Sequence, residues 1–212
     1  MNFWSFMVQN RDEVAQLTLE HLWIVGISTM FSVGIGVPLG ILITRRPKLH
    51  NPVIITANII QTIPSLALFG FLLPTPWIGD RAGRLAVLAL TLYALLPLIR
   101  NTYAGIKGVD RAVVEAARGM GLTDWQLLCK VELPLALPVF LSGLRIAAVQ
   151  AVGLTVVAAL IGDGGLGALV FQGLASGALD LVLLGVIPVV ALAVVVDAAL
   201  RILENSRVTP SG

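Results

Sequence analysis

Glu115-Ala116-Ala117, three residues, Gly121, nine residues, Val131, one residue and Leu133-Pro134 lie in a polar stretch, 105–134, between long apolar runs. A carboxylate at Glu115 can accept a hydrogen bond, pair with a basic residue of a partner, or cap its own helix. The small residues Ala116, Ala117 and Gly121 let two surfaces approach, where larger side chains would hold them apart. Asp110 suits the N-cap of a helix over Arg111-Ala112-Val113-Val114-Glu115-Ala116-Ala117-Arg118, a run of mostly good helix formers. Gly119 and Gly121 end that helix, and Thr123 or Asp124 starts a second one through Lys130. Leu133-Pro134 is expected to stop the second helix. Two short helices meeting at a glycine make a rigid knob that fits a groove on another protein. The plainer alternative is an ordinary amphipathic loop.

Elsewhere the polar residues are few and scattered. Arg145 and Gln150 fall inside an apolar run, where polar groups are costly and usually face the interior of a helix bundle. Snorkelling to an interface or pairing within the bundle accounts for Arg145 better than lining a route for a cation. Asp197 and Arg201 are four apart and are expected to neutralise each other on one helical face. His21 and His50 are predicted at opposite membrane faces and cannot share a metal, and the single Cys129 has no partner for a disulfide or a cluster. Tyr93, Tyr103, Phe69, Phe71 and Phe171 are dispersed along the chain, as packing residues are. No GxxxxGK[ST] loop is present, so the chain has no means of binding ATP by that mechanism.

The elements that must position these residues follow from composition. Of the 212 residues 57% are hydrophobic and only 12% charged, against about 25% charged in a soluble domain. A spanning helix needs about 20 mostly apolar residues. Stretches 22–44, 53–73, 85–104, 135–161 and 181–200 meet that requirement, and none alternates with the period of two of a barrel strand. The expected fold is therefore all-α: a polytopic membrane protein with about five transmembrane helices and a cytoplasmic loop over 105–134.

Residues 1–21 precede the first span and 205–212 follow the last. Asp12, Glu13 and Glu20 before an over-long apolar run argue against a cleaved signal peptide. Phe3, Trp4 and Phe6 either anchor at the interface or belong to a frayed polar leader. If the N-terminus is outside, the inner segments hold Arg45, Arg46, Lys48, Arg100, Lys107, Arg111, Arg118, Lys130, Arg201 and Arg207, ten in all, and the outer segments only Arg11, Arg81 and Arg84. The excess of inner Lys and Arg predicts an outer N-terminus and a cytoplasmic C-terminus. The outer segment 162–180 carries six glycines and is too broken to span, yet apolar enough to dip into the protein. Small-residue pairs Gly36/Gly40 and Gly173/Gly177 could bring helices close, and Pro38, Pro64, Pro97, Pro138 and Pro188 put one kink-capable proline in each span.

The spacing around Glu115 resembles the EAA motif of ABC-importer permeases, EAA-x3-G-x9-I-x-L-P, with Val131 in place of the Ile. Gln61-Thr62-Ile63-Pro64-Ser65-Leu66-Ala67-Leu68, Tyr93-Ala94-Leu95-Leu96-Pro97, Arg100-Asn101-Thr102-Tyr103 and Val37-Pro38-Leu39-Gly40 resemble the branch that imports glycine betaine, choline and related osmoprotectants. Gly162-Asp163-Gly164-Gly165-Leu166-Gly167 looks like the outer glycine turn this branch shares with methionine-type permeases, where Ala is commoner than Asp163. The resemblance covers residues 20–205 and implies a MetI-like permease fold in the bacterial inner membrane, with no enzymatic activity of its own. It also implies that Glu115, Ala116, Ala117, Gly121, Leu133 and Pro134 dock an ATPase subunit, and that Asp163, Gly164, Gly165 and Gly167 form part of an outer gate. ATP would be bound by that partner, leaving this chain without cofactor or metal. A second permease subunit, identical or paralogous, and a periplasmic or lipid-anchored substrate-binding protein complete the implied assembly, which does not involve nucleic acid. Asp163 and Asp180 would then attract a cationic substrate or a charged patch of the binding protein, unless they merely cap short helices. A methionine or other amino-acid permease is the nearest alternative. A self-sufficient secondary carrier would need unneutralised acidic residues within the spans, and a membrane enzyme a cluster of catalytic side chains.

Overall fold

Asp12 and Glu13 place negative charge in the first turn of α2 (Arg11–Arg45), where the helix dipole favours it, and the helix then runs 35 residues without a break. It begins well before residue 22, the expected edge of the first span. A short helix, α1 (Phe3–Gln9), precedes it and carries the three N-terminal aromatics on ordered backbone. This computed structural model describes residues 3–75, 82–162 and 164–208, so Asp163 and Arg81 lie outside the described residues. Among the described residues every regular element is helical.

After a 3₁₀ turn (Pro47–Leu49) the chain returns as α3 (His50–Thr62) and α4 (Ser65–Leu72), which meet at 99°. The expected straight second span is therefore broken at its middle. Ile63 and Pro64 both adopt extended ψ angles, of 128° and 138°, and Pro64 has no N–H with which to continue the α3 ladder. Pro38, Pro97 and Pro188 sit inside continuous α2, α5 (Ala82–Lys107) and α10 (Leu179–Val208), so a proline alone does not make the break.

The loop after α5 folds as α6 (Arg111–Gly119) and α7 (Asp124–Leu127). Leu133-Pro134 does not stop the helix. Five residues of π-helix, Leu128–Glu132, lead straight into α8 (Leu133–Ala158), and the Leu133 N–H reaches back to Leu128 O. That wider turn accommodates a proline in the first turn of α8, where its missing donor is least costly. A short helix, α9 (Gly167–Ser176), fills the glycine-rich segment before α10, and Gly177 ends it at φ +68°. Its ten residues are too few to cross a bilayer.

Helix α5 forms the centre of the bundle, with α2 and α8 packed along it and α10 against α8. Leu85, Ala86, Ala89, Leu90, Leu98 and Ile99 of α5 are almost fully enclosed. Gly36 and Gly40 make the α2–α5 approach close: a Cβ added at Gly40 would stand 2.6 Å from the Thr102 Cβ, and one at Gly36 2.9 Å from the Leu98 Cβ. Large apolar side chains on α2 and α10, among them Met30, Phe31, Val190 and Val194, point outward, as they do where the surroundings are lipid. Among the described residues four helices are long and apolar enough to cross a membrane, and the bent α3–α4 pair makes a fifth if its two halves count as one span.

Candidate functional site

The knob between α5 and α8 is built by its own caps. Asp110 accepts a hydrogen bond from the Ala112 N–H at 2.9 Å, starting α6. Thr123 and Gln126 form a reciprocal capping box that starts α7. Gly121, at φ +83°, makes the turn between them, a conformation that side-chain-bearing residues resist. Ala117, Leu127 and Leu128 fasten the knob to the body by burial. The opposite face stands out: Ala116, Gly121, Met120 and Trp125 are exposed, and Glu115 is held only loosely by Arg111, at 3.8 Å with both side chains in the open. Glu115, Ala116 and Gly121 thus share the projecting part, Ala117 forms its root, and Leu133 and Pro134 lie at the base, where α8 leaves for the bundle. The expected two-helix knob is present.

Glu132 in the π-turn is 4% exposed and receives the Arg45 guanidinium in a two-pronged contact, with Arg45 Nη1 donating to Oε1 at 3.1 Å. This pair ties the end of α2 to the base of the knob. Beside it a cavity of about 890 Å³ opens between Ile41, Arg45, Lys107, Arg118 and Trp125. Nothing in the local sequence pattern flags the pair, because its members are 87 residues apart.

At the far end of the bundle, the Gly165 N–H donates to Glu20 Oε2 at 3.2 Å. Gly165 has φ +85° and packs on the His21 ring, and a Cβ on Gly164 would collide with the Glu20 carboxylate. Gly167 leaves no room for a side chain against Val156 of α8. His21 itself is fully enclosed, with Nε2 3.0 Å from Val152 O. The glycine turn therefore closes on Glu20 and His21 of α2, a contact that nothing in their sequence spacing predicts. Gate candidate Asp163 lies outside the described residues.

Within the spans, Arg145 of α8 reaches Asp197 at 3.4 Å and Glu204 at 3.4 Å, both on α10. The expected Asp197–Arg201 pair does not form, and Arg201 points outward. A guanidinium in the α8–α10 interface offers Asp197 a partner away from lipid, which its own-helix neighbour on the outer face does not. A polar seam runs along α3 and α5: Asn58 accepts from Arg100 at 3.0 Å, and Gln61 lies 3.4 Å from Tyr93 O and 3.5 Å from Gln150 Oε1 of α8. The Tyr93 hydroxyl donates to Ile63 O at the break. Tyr93 thus does more than the packing its dispersed position in the sequence predicts: it is also a hydrogen-bonding residue. No group of three His, Cys, Asp or Glu residues suited to a metal occurs among the described residues.

A bundle of about five candidate spans around one central helix, with a capped two-helix knob at one end, is the architecture of a polytopic membrane protein. The chain belongs to the family described as binding-protein-dependent transport system inner membrane component, whose model matches residues 36–208. It is thus the permease part of an ABC importer, a transport subunit and not an enzyme. It is 42% identical to the carnitine transport permease protein OpuCB of Listeria monocytogenes, over 97% of this chain and 93% of that one. It is equally 42% identical to the osmoprotectant import permease protein OsmW of Salmonella typhimurium, over 98% and 97%. Among solved structures, an inward-facing MetNI methionine ABC transporter superposes with a TM-score of 0.81 at 27% identity, covering 90% of this chain and 94% of that one.

Proposed function

We propose that this chain carries quaternary-amine osmoprotectants, of the glycine betaine, choline and carnitine kind, across the bacterial inner membrane. The observation that carries the reading is similarity at about 40% identity, over nearly the whole chain, to permeases named for carnitine, osmoprotectants and choline. The methionine transporter resembles it at 27% identity, which favours the osmoprotectant reading over the amino-acid one. ATPase subunits dock on the knob around Glu115, Ala116, Ala117 and Gly121, with Leu133 and Pro134 at its base, and they supply ATP chemistry that this chain lacks. A second permease subunit completes the pathway, and a substrate-binding protein delivers the ligand. Lys and Arg cluster at the knob end, which fits a cytoplasmic knob, an outer N-terminus and a cytoplasmic C-terminus. Asp163, Gly164, Gly165 and Gly167 are then assigned to an outer gate.

The test is purification of the tagged chain in mild detergent, with identification of every protein that accompanies it, followed by uptake assays in vesicles. An ATPase subunit with a phosphate-binding loop is expected, together with import of at least one quaternary amine. A stable oligomer of this chain alone would overturn the docking assignment, and import of methionine but of no quaternary amine would overturn the substrate.

A further inference from the structure

Arg100 occupies an unusual place in the bundle. It lies seven residues before the end of α5 at Lys107, about 10 Å along the helix axis, and its partner Asn58 lies eight residues into α3, about 12 Å from that end. Asn58 falls within the apolar stretch 53–73, and Arg100 at the inner end of the stretch 85–104. The preceding turns of α5, from Tyr93 to Ile99, are buried, so Arg100 marks where the central helix comes to the surface. Its guanidinium is exposed and turns sideways to Asn58 Oδ1, at 3.0 Å. Among the described residues no carboxylate comes within ion-pair distance of it, whereas Arg145, the other span arginine, is held by two.

A guanidinium at this depth with one carboxamide partner is not stable against lipid, since intramembrane charges face water, protein or an opposite charge. The rest of the seam has the same character. Gln61 stands one turn beyond Asn58 and Tyr93 two turns beyond Arg100, and Gln61 reaches Gln150 of α8. The seam ends at the 99° break, where the Tyr93 hydroxyl holds the Ile63 carbonyl. Amide and carbonyl groups therefore lead along one face to a single unneutralised cation. That cation accepts a group with negative charge and repels a bare cation, while the amide groups before it can hydrogen-bond a polar solute of either kind.

We infer that the Asn58–Arg100 pair is a carboxylate-binding station on the transport pathway, and that the preferred cargo is a zwitterion carrying both a quaternary nitrogen and a carboxylate. The inference rests on the transport reading above and narrows it: betaine-like and carnitine-like compounds bring the carboxylate, and choline does not. Asn58 orients the guanidinium, whose planar fork takes a carboxylate through paired N–H donors.

The experiment uses the complete complex in proteoliposomes, with its ATPase and its binding protein presented at saturating ligand. Uptake of glycine betaine, carnitine and choline is compared for wild type, Arg100→Gln, Arg100→Lys and Asn58→Asp. One binding protein serves every variant, so its own preference cancels when uptake ratios are compared. Arg100→Gln is expected to lower the ratio of glycine betaine to choline uptake about tenfold or more, the range of a lost charge-assisted hydrogen bond. Arg100→Lys keeps most of the ratio. Asn58→Asp gives Arg100 a permanent partner that should favour assembly, and it lowers the ratio as Arg100→Gln does. Equal loss of all three substrates in Arg100→Gln and Asn58→Asp would mean a purely structural arginine and overturn the inference, as would an unchanged ratio. A wild type that imports none of the three would overturn the transport reading itself.

Discussion

Arg45, the last residue of α2, grips the buried carboxylate of Glu132 in the π-turn from which α8 rises, joining the first span directly to the base of the knob. Motion delivered to the knob can reach α2 through this contact as well as through α8. Arg45 is about one-third exposed and Glu132 almost wholly enclosed, at 34% and 6%. Removing the arginine therefore strands a carboxylate that water reaches poorly.

Arg45→Gln is expected to destabilise the subunit by about 2–3 kcal/mol, below the cost of breaking a fully buried pair because Arg45 keeps some solvent. Melting in detergent measures this loss. The reversed pair, Arg45→Glu with Glu132→Arg, recovers part of it. If the pair transmits motion, Arg45→Gln at a temperature where it remains folded hydrolyses ATP in the complex with reduced uptake. Equal melting of Arg45→Gln and wild type would show that the contact contributes nothing.

The glycine turn makes a second test. Gly165 combines φ +85° with a seat on the His21 ring, so Gly165→Ala adds left-handed strain of about 1–2 kcal/mol to steric crowding. Glu20→Gln keeps the shape and an acceptor oxygen for the Gly165 N–H, at lower charge. Uptake is expected to fall steeply in Gly165→Ala and only modestly in Glu20→Gln. The opposite order would place the importance in the carboxylate and not in the backbone turn.

Much of the architecture was legible because hydropathy reports burial in lipid directly. The apolar runs fell on the long helices, and Asp110, Thr123 and Gly121 announced the knob through local capping chemistry. Contacts between distant segments were not legible. Five spans each carry a proline, and only Pro64 accompanies a sharp break, where Ile63 turns extended and Tyr93, thirty residues on, captures its carbonyl. Asp197 has an obvious neighbour at Arg201, yet Arg145, 52 residues away, takes it from across the α8–α10 interface. Glu20 looked like part of a polar leader because nothing within α2 reveals that Gly165 folds back onto it. Sequence spacing encodes partners one helical turn apart, and these pairs are set by helix packing.

The α2–α5 contact offers a matched pair of substitutions. A Cβ at Gly40 would meet the Thr102 side chain at 2.6 Å and Ile99 O at 3.0 Å, whereas one at Gly26 meets nothing within 4 Å. Overpacking of this kind typically costs about 1–3 kcal/mol, and a backbone oxygen has little freedom to yield. Gly40→Leu is expected to lower the yield of folded subunit and its melting temperature. Gly26→Leu on the same helix behaves as wild type. Equal tolerance at both positions would show that the helices are free to separate.

Glu115 is the sharpest test of the knob, because its contribution to folding is small. Its one ion pair, with Arg111, spans 3.8 Å between side chains that are 94% and 72% exposed, and such surface pairs add little to stability. Glu115→Lys also leaves the Asp110 cap and the Thr123–Gln126 box untouched. Membrane insertion and melting of the isolated subunit are therefore expected to match wild type. In a docking role the reversed charge weakens capture of the ATPase subunit, and uptake falls more than tenfold. Arg111→Ala removes the same ion pair while keeping the Glu115 carboxylate, so it retains docking if the carboxylate is the recognised group. Wild-type uptake in Glu115→Lys would remove Glu115 from the docking surface, and equal loss in Arg111→Ala would assign the effect to the pair.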